Sequence, residues 1–274
     1  MTEPNTAPPA RVATKKVLVL SYLNTPNFGD RLGYHIVNSL LPAHAVVTHS
    51  SFSPFAPPEE DFDLLILGTG MSLNAPAIRR PELHRLIERT PKTLGIFGTQ
   101  YRYQYDRNMD PALFDALLDK LTFWWARYRS DIDEFAGTRD NVRHLGDWLI
   151  SAFPLATPTK DKTLAIQADI MKRELPLDRM IQQIQEYRVV KTSRIHPMLC
   201  ALTSAERILY VEQRETAEKD QPSGKFSAQL RDVFGRDFPE NQFFDVDRQA
   251  VIRYKMAVDA NMADLREQIA RLLA

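Results

Sequence analysis

Short apolar runs, each too brief for a helix, alternate along this chain with longer stretches whose apolar positions recur every three or four residues. Val17-Leu18-Val19-Leu20, entered through Lys15-Lys16, reads as a buried parallel strand. The loop after it, Ser21 to Gly29, holds the turn formers Asn24, Pro26, Asn27 and Gly29. Asp30 then stands where a helix cap belongs, ahead of Leu32, Ile36, Val37 and Leu40. The alternation continues through Ala45-Val46-Val47, Leu64-Leu65-Ile66-Leu67 ending in Gly68-Thr69-Gly70, Leu94-Gly95-Ile96-Phe97 ending in Gly98, and Phe123-Trp124-Trp125-Ala126. A helix opens at Asp110-Pro111 and carries Leu113, Leu117, Leu118 and Leu121 on one face. Strands that end in glycine or polar residues and feed helices predict a doubly wound α/β sheet, whose ligands sit at the carboxyl ends of the strands. Asn27 to Asp30, Gly68 to Ser72 and Gly98 to Gln100 should therefore converge on one crevice edge.

Pro154 to Lys162, rich in proline, threonine and lysine, reads as a connection, and a second alternating series follows it. That series holds Thr163-Leu164-Ala165-Ile166, a helix near Leu177 to Tyr187, Val189-Val190, a helix from Ile195 to Leu202, and Arg207-Ile208-Leu209-Tyr210-Val211. Met262, Leu265, Ile269 and Leu272 make one stripe of a C-terminal amphipathic helix. The resulting division is a leader over 1–14, a first lobe over 15–155, a smaller lobe over 160–246 and a helix over 247–274. Whether that helix packs back on the first lobe is not fixed by its sequence.

Composition narrows the function classes. With 274 residues, 44% of them apolar, the chain can bury two cores of about 100–150 residues each. Its formal net charge of zero, without a long Lys/Arg block, argues against a nucleic-acid partner. The leader has prolines and Glu3 but no apolar core segment, so it does not read as a secretion signal. No stretch approaches the roughly 20 apolar residues of a membrane span. The single cysteine, Cys200, allows no internal disulfide and no cysteine cluster, and the expected location is a reducing cytoplasm.

Several loops carry candidate chemistry. Asn27-Phe28-Gly29-Asp30 sets a glycine beside a helix start, where Asp30 could bind a sugar hydroxyl or take its proton. Gly68-Thr69-Gly70 follows a strand as a phosphate-binding turn would, although the third glycine of a dinucleotide fingerprint is missing. Gly224-Lys225 lacks the flanking residues of a P-loop. Arg127 and Arg129 follow the strand Phe123 to Ala126, so one of them can present a guanidinium to a phosphate or carboxylate. Ser193-Arg194-Ile195-His196 opens a helix directly after Val189-Val190. A histidine near a cation and a helix N-terminus has a lowered pKa and is neutral until an anion binds beside it. His35, His44, His49, His84 and His144 are scattered without metal-ligand spacing, so no metal is expected.

Taken in order, these segments resemble the polysaccharide pyruvyl transferase family: Asn27 to Asp30, Gly68 to Gly70, Arg127, the Gly146-Asp147 turn and Ser193 to His196. The resemblance implies two Rossmann-like lobes with mainly parallel sheets, arranged as in GT-B glycosyltransferases, with phosphoenolpyruvate between them. It implies that Arg127 and Arg194 hold the donor's phosphate and carboxylate and that His196 is the general acid. A basic residue after the last strand of the second lobe completes the donor site, with Lys225 the candidate and Arg214 behind it. Asn27, Gly29, Gly68, Gly70 and Ser193 line the crevice beside Asp30. Phosphoenolpyruvate is then a co-substrate, no cofactor is needed, and the acceptor is a sugar of a polysaccharide or its lipid-linked precursor. Such an acceptor implies at most peripheral contact with the inner face of the membrane. Tyr128 after Arg127, Thr69 between its glycines and Trp148 after Asp147 depart from the family pattern. A GT-B glycosyltransferase using a nucleotide sugar and a binding member without turnover are the alternative readings.

Overall fold

The apolar runs become strands because helices cover both faces of the sheet they build. The computed structural model describes residues 14–22, 27–68, 70, 75–99, 110–166, 176–214 and 222–274. The first half runs β1 (Lys15–Ser21), α1 (Phe28–Leu40), β2 (Ala45–Ser51), β3 (Leu64–Gly68), α2 (Ala75–Ile78), α3 (Pro81–Arg89), β4 (Thr93–Phe97), α4 (Pro111–Leu118), β5 (Phe123–Ala126), α5 (Arg129–Phe135), β6 (Val142–His144) and a 3-10 helix (Trp148–Ala152). The second half runs β7 (Lys160–Ile166), α6 (Leu177–Gln185), β8 (Tyr187–Thr192), α7 (Ile195–Leu202), β9 (Arg207–Tyr210), α8 (Lys225–Phe234), β10 (Phe243–Asp245) and α9 (Arg248–Leu273).

The chain is thus a mixed α/β protein with a C-terminal helix. Its first sheet has six strands in the order β2-β1-β3-β4-β5-β6, all parallel. From β1 the chain builds β2 on one side and then crosses to β3 on the other. That reversal leaves a crevice outside the carboxyl ends of β1 and β3. The second sheet has the order β10-β9-β8-β7, parallel except for the antiparallel pair β9 and β10.

Strand alternation divides the core. Val17, Val19, Leu64, Ile66, Leu94 and Ile96 face one apolar cluster, while Leu18, Leu20, Leu65, Leu67, Phe97 and Trp124 face another. The first cluster runs on into Ile166, Val190 and Ile208 of the second sheet and into Leu265 and Ile269 of α9. Helix α9 is capped by Asp247, which accepts from the N–H groups of Gln249 at 3.0 Å and Ala250 at 3.1 Å. Its Lys255 Nζ donates to the carbonyls of Ile150 and Ser151 at 3.1 Å each, and its Asn261 to that of Leu145 at 3.3 Å. The terminal helix therefore lies against the 3-10 helix and the loop after β6. Among the described residues no helix is long and apolar enough to cross a membrane.

Several expected boundaries move. The cap of α1 is Asn27 and not Asp30, because the Asn27 side chain reaches the N–H groups of Gly29 at 2.8 Å and Asp30 at 3.3 Å. Lys160 to Lys162, expected in the connection, begin β7, an edge strand that keeps its charged side chains in solvent. Tyr187 opens β8 and is not the end of α6. Helices α2, α3, α5 and α8, the 3-10 helix and strands β6 and β10 were not anticipated. Residues 1–13 of the leader lie outside the described residues.

Candidate active site

Two residues, Ser193 and Arg194, join β8 to α7, and Thr192 shapes the turn by accepting the Arg194 N–H on its hydroxyl at 2.9 Å. The Ser193 N–H reaches the Ile166 carbonyl at 3.1 Å, and Arg194 takes the extended cap conformation. His196, in the first turn of α7, is 9% exposed. Its ring lies against the first turn of α1, which packs on the other sheet: a Cβ built on Gly29 would stand 1.8 Å from Nδ1 and 2.0 Å from Cε1 of His196. Only a glycine allows that approach.

On its other side the imidazole meets Arg127, which leaves β5 with its N–H on the Phe97 carbonyl at 3.2 Å. Arg127 Nη2 donates to the Asp147 carboxylate and, at 3.1 Å, to His196 Nε2. A guanidinium has no acceptor, so Nε2 must present its lone pair and the ring proton belongs to Nδ1. Burial, then the charges of Arg127 and Lys225, hold His196 well below the usual histidine range, and the ring is neutral. Burial works against the Arg127 charge, but Asp147 outweighs it and places the pKa above the ordinary arginine value. Burial likewise pushes the Asp147 carboxyl up, against the pull of Arg127. Arg127 is 4% exposed and Asp147 fully buried. Arg127 Nε is also buried, with no hydrogen-bond acceptor among the described residues.

The back of this pair is fixed by the second half of the chain. The Asp147 N–H donates to the Tyr254 hydroxyl oxygen at 2.6 Å, and Gln229 Nε2 reaches the same oxygen at 3.1 Å. Tyr254 also borders a cavity of about 560 Å³ with Arg129, His144, Asp232 and Arg253. Gly146 adopts a φ of +83°, and a Cβ there would stand 2.6 Å from Val258 of α9.

Gly70 accepts the Gly98 N–H at 3.2 Å, and its ideal Cβ position is 3.6 Å from Asp30 Oδ1. Gly98 packs on Arg127, where a Cβ would be 2.9 Å from the arginine Cβ. Gly68 ends β3 with a φ of +104°. Lys225 opens α8, its Nζ 3.3 Å from Gln213 Oε1, and its charge acts on His196. Arg214 instead pairs with Glu240 at 2.9 Å. Thr69, Ser72 and Gln100 lie outside the described residues. Thr99 donates both its N–H, at 3.0 Å, and its hydroxyl, at 2.5 Å, to Asp131, whose carboxyl burial pushes up to about 7. Cys200 is buried in α7, and burial raises its thiol pKa and so disfavours the thiolate. Among the described residues no group of three or more His, Cys, Asp or Glu is placed to hold a metal ion.

The Arg127 guanidinium is held by Asp147 and turned on the imidazole through Nη2. Asp147 was visible only as half of a Gly-Asp turn, and Tyr254 and Gln229 gave no signal, being single polar atoms on otherwise apolar helix faces.

Neither a protein-family model nor a curated protein matches the chain. Among solved structures, a functionally uncharacterized protein from Klebsiella pneumoniae superposes with a TM-score of 0.46 at 16% identity, over 78% of this chain and 86% of the other. The glycotransferase of kitacinnamycin superposes with a TM-score of 0.44 at 11% identity, over 95% of this chain and 96% of the other.

Proposed function

We propose that the chain transfers a pyruvyl group from phosphoenolpyruvate to two hydroxyls of a sugar, with His196 as the acid. The observation that carries this reading is the contact of one neutral, buried imidazole with both Gly29 and Arg127. It gathers the Ser193–His196 turn, the Asn27–Asp30 loop and the β5 arginine, the segments on which the family resemblance rests, into one centre. The reading takes the two sheets as Rossmann-like lobes with the donor between them.

The chemistry follows from the charges. A bound phosphate and carboxylate would offset Arg127 and Lys225 and raise the proton affinity of His196, so the acid is loaded by the substrate itself. The imidazolium then protonates the methylene carbon of phosphoenolpyruvate, and positive charge develops at the adjacent carbon. A sugar hydroxyl attacks that carbon as its proton passes to Asp30. The carbon–oxygen bond to phosphate breaks, a second hydroxyl closes the ketal, and its proton leaves with the phosphate. Arg194, Lys225 and the Nε donor of Arg127 stabilise the departing anion. Asp147 acts as a positioning residue by holding Arg127.

Calorimetric titration with phosphoenolpyruvate, with a panel of nucleotide sugars in parallel, tests the proposal. Saturable binding of phosphoenolpyruvate that disappears in Arg194→Ala and persists in His196→Ala is expected. Binding of a nucleotide sugar alone would replace pyruvyl transfer by glycosyl transfer, and binding of neither would remove both.

A further inference from the structure

Three segments leaving the carboxyl ends of β1, β2 and β3 close around a second, smaller space. Tyr22 follows β1, Phe52 and Phe55 follow β2, and Ala77 and Arg80 lie in and just after α2, beyond β3; together they wall a cavity of about 170 Å³. It flanks the point where the strand order reverses, the place at which open α/β sheets receive ligands. None of its walls touches His196 among the contacts described above.

The walls are built for an amphipathic ring. Tyr22 and Phe52 stand with ring centroids 5.8 Å apart, tilted by 46°, and the Arg80 guanidinium lies over the Phe55 ring at 4.8 Å. Phe52 is buried, whereas Tyr22, Phe55 and Arg80 keep part of their surface open. The turn that carries the phenylalanines is fixed by its own serines: Ser51 Oγ donates to the Ser53 carbonyl at 3.0 Å and accepts the Ser53 N–H at 3.1 Å, and Ser50 Oγ holds the Ala56 carbonyl at 3.1 Å. The Arg80 side chain has no carboxylate partner among the described residues, so its donors are available to a ligand.

We propose that this cavity receives one pyranose ring of the acceptor, an inference that rests on the pyruvyl-transfer reading. A pyranose offers a face of C–H groups, slightly positive, which the negative faces of aromatic rings attract while excluding water. Its rim of hydroxyls suits the guanidinium donors, which Phe55 holds in place by cation–π contact. The space admits a single ring and is below the roughly 300 Å³ at which pockets for larger ligands begin. A lone arginine among aromatic walls is a poor cradle for the donor's several charges, which separates this subsite from the His196 centre. The proton acceptor lies on the same edge: Asp30 is in the first turn of α1, which follows the same strand as Tyr22, and it sits beside Gly70, which precedes α2.

Saturation-transfer NMR on the full-length protein, without phosphoenolpyruvate, tests the subsite with methyl glycosides of glucose, galactose and mannose and with glucuronic acid. Transfer to the ring C–H protons of at least one probe is expected. It should fall to the level of a non-binding control in Phe55→Ala and in Arg80→Ala, while the thermal unfolding of Arg80→Ala, a substitution at a partly open side chain, stays at the wild-type midpoint. No transfer from any probe, or transfer that survives both substitutions, overturns the subsite. Phosphoenolpyruvate titrations on the same samples keep the two proposals apart. Sugar transfer lost in the variants of a protein that never binds phosphoenolpyruvate leaves the subsite standing and removes the pyruvyl reading; donor binding without any sugar transfer does the reverse.

Discussion

One methyl group suffices to test the centre of the site. In Gly29→Ala the new Cβ would overlap the His196 ring, 1.8 Å from Nδ1, so the imidazole must leave its place between the first turn of α1 and Arg127. Its pKa should then rise toward the ordinary 6.5, as it gains water and loses the neighbouring cation. Titration of the His196 ring resonance by NMR measures this, and an unmoved pKa would mean that the contact is not what depresses it. The depressed value also has a sign in stability. Below about pH 6.5 the unfolded chain protonates His196 while the folded chain keeps it neutral, so this group withdraws stability as pH falls, by up to about 1.4 kcal/mol per pH unit, until the folded pKa is reached. Asp131 acts oppositely in the same window. Its folded pKa of about 7 lies above the ordinary 3.8, so its contribution grows as pH falls through 7 and is lost as pH rises. The two slopes partly cancel in the wild type. Denaturant unfolding of His196→Asn from about pH 7 to about pH 5 should therefore show a stability that rises more, or falls less, on acidification than the wild type does. Parallel curves would place the proton elsewhere.

At the scale of elements, α9 and α8 reach the site through one oxygen. Tyr254→Phe removes the acceptor shared by the Asp147 N–H and the Gln229 amide, both buried, and should cost about 1–3 kcal/mol in denaturant unfolding. The Asp147 amide should also exchange with solvent faster, and an unchanged midpoint with unchanged exchange would show that the Tyr254 hydroxyl holds nothing. That link could not be read in the sequence, because Tyr254 and Asp147 are 107 positions apart and their meeting depends on the packing of the last helix. The central strands were legible for the opposite reason. Leu64–Gly68 and Trp124–Ala126 are buried on both faces, so their apolar runs declare them without reference to partners. Edge strands give no such signal: β7 carries Lys160, Asp161 and Lys162 into solvent, and β6 has three residues. The caps show a third case. Asn27 and Asp30 are both good capping residues, and only the path of the loop decides that Asn27 turns back onto the free N–H groups. For the site, the turn at Ser193–His196 and the loop at Asn27–Asp30 were visible as local patterns, whereas the turning of Arg127 onto His196 required Asp147, 20 positions away, to be in place.

The whole molecule is bound by a core that does not stop between its sheets. Val17 and Ile66 of the first sheet, Val190 and Ile208 of the second, and Leu265 and Ile269 of α9 belong to one apolar cluster. Two layers joined only through a linker would unfold separately, whereas a shared core makes each layer's loss expose the other. The tryptophans allow the distinction, since Trp124, Trp125 and Trp148 all lie in the first half, while far-ultraviolet circular dichroism reports on both sheets. Tryptophan emission and circular dichroism should therefore give coincident denaturant curves. Leu265→Ala, at a fully buried position of α9, should move both together by about 2–5 kcal/mol. Separate midpoints, or a Leu265→Ala shift seen by one probe alone, would show two independently stable layers. The outcome bears directly on the site: Gly29 and Arg127 come from one sheet and His196 from the other, so a contact as close as that between the Gly29 backbone and the imidazole keeps its geometry only if the layers are held as one body.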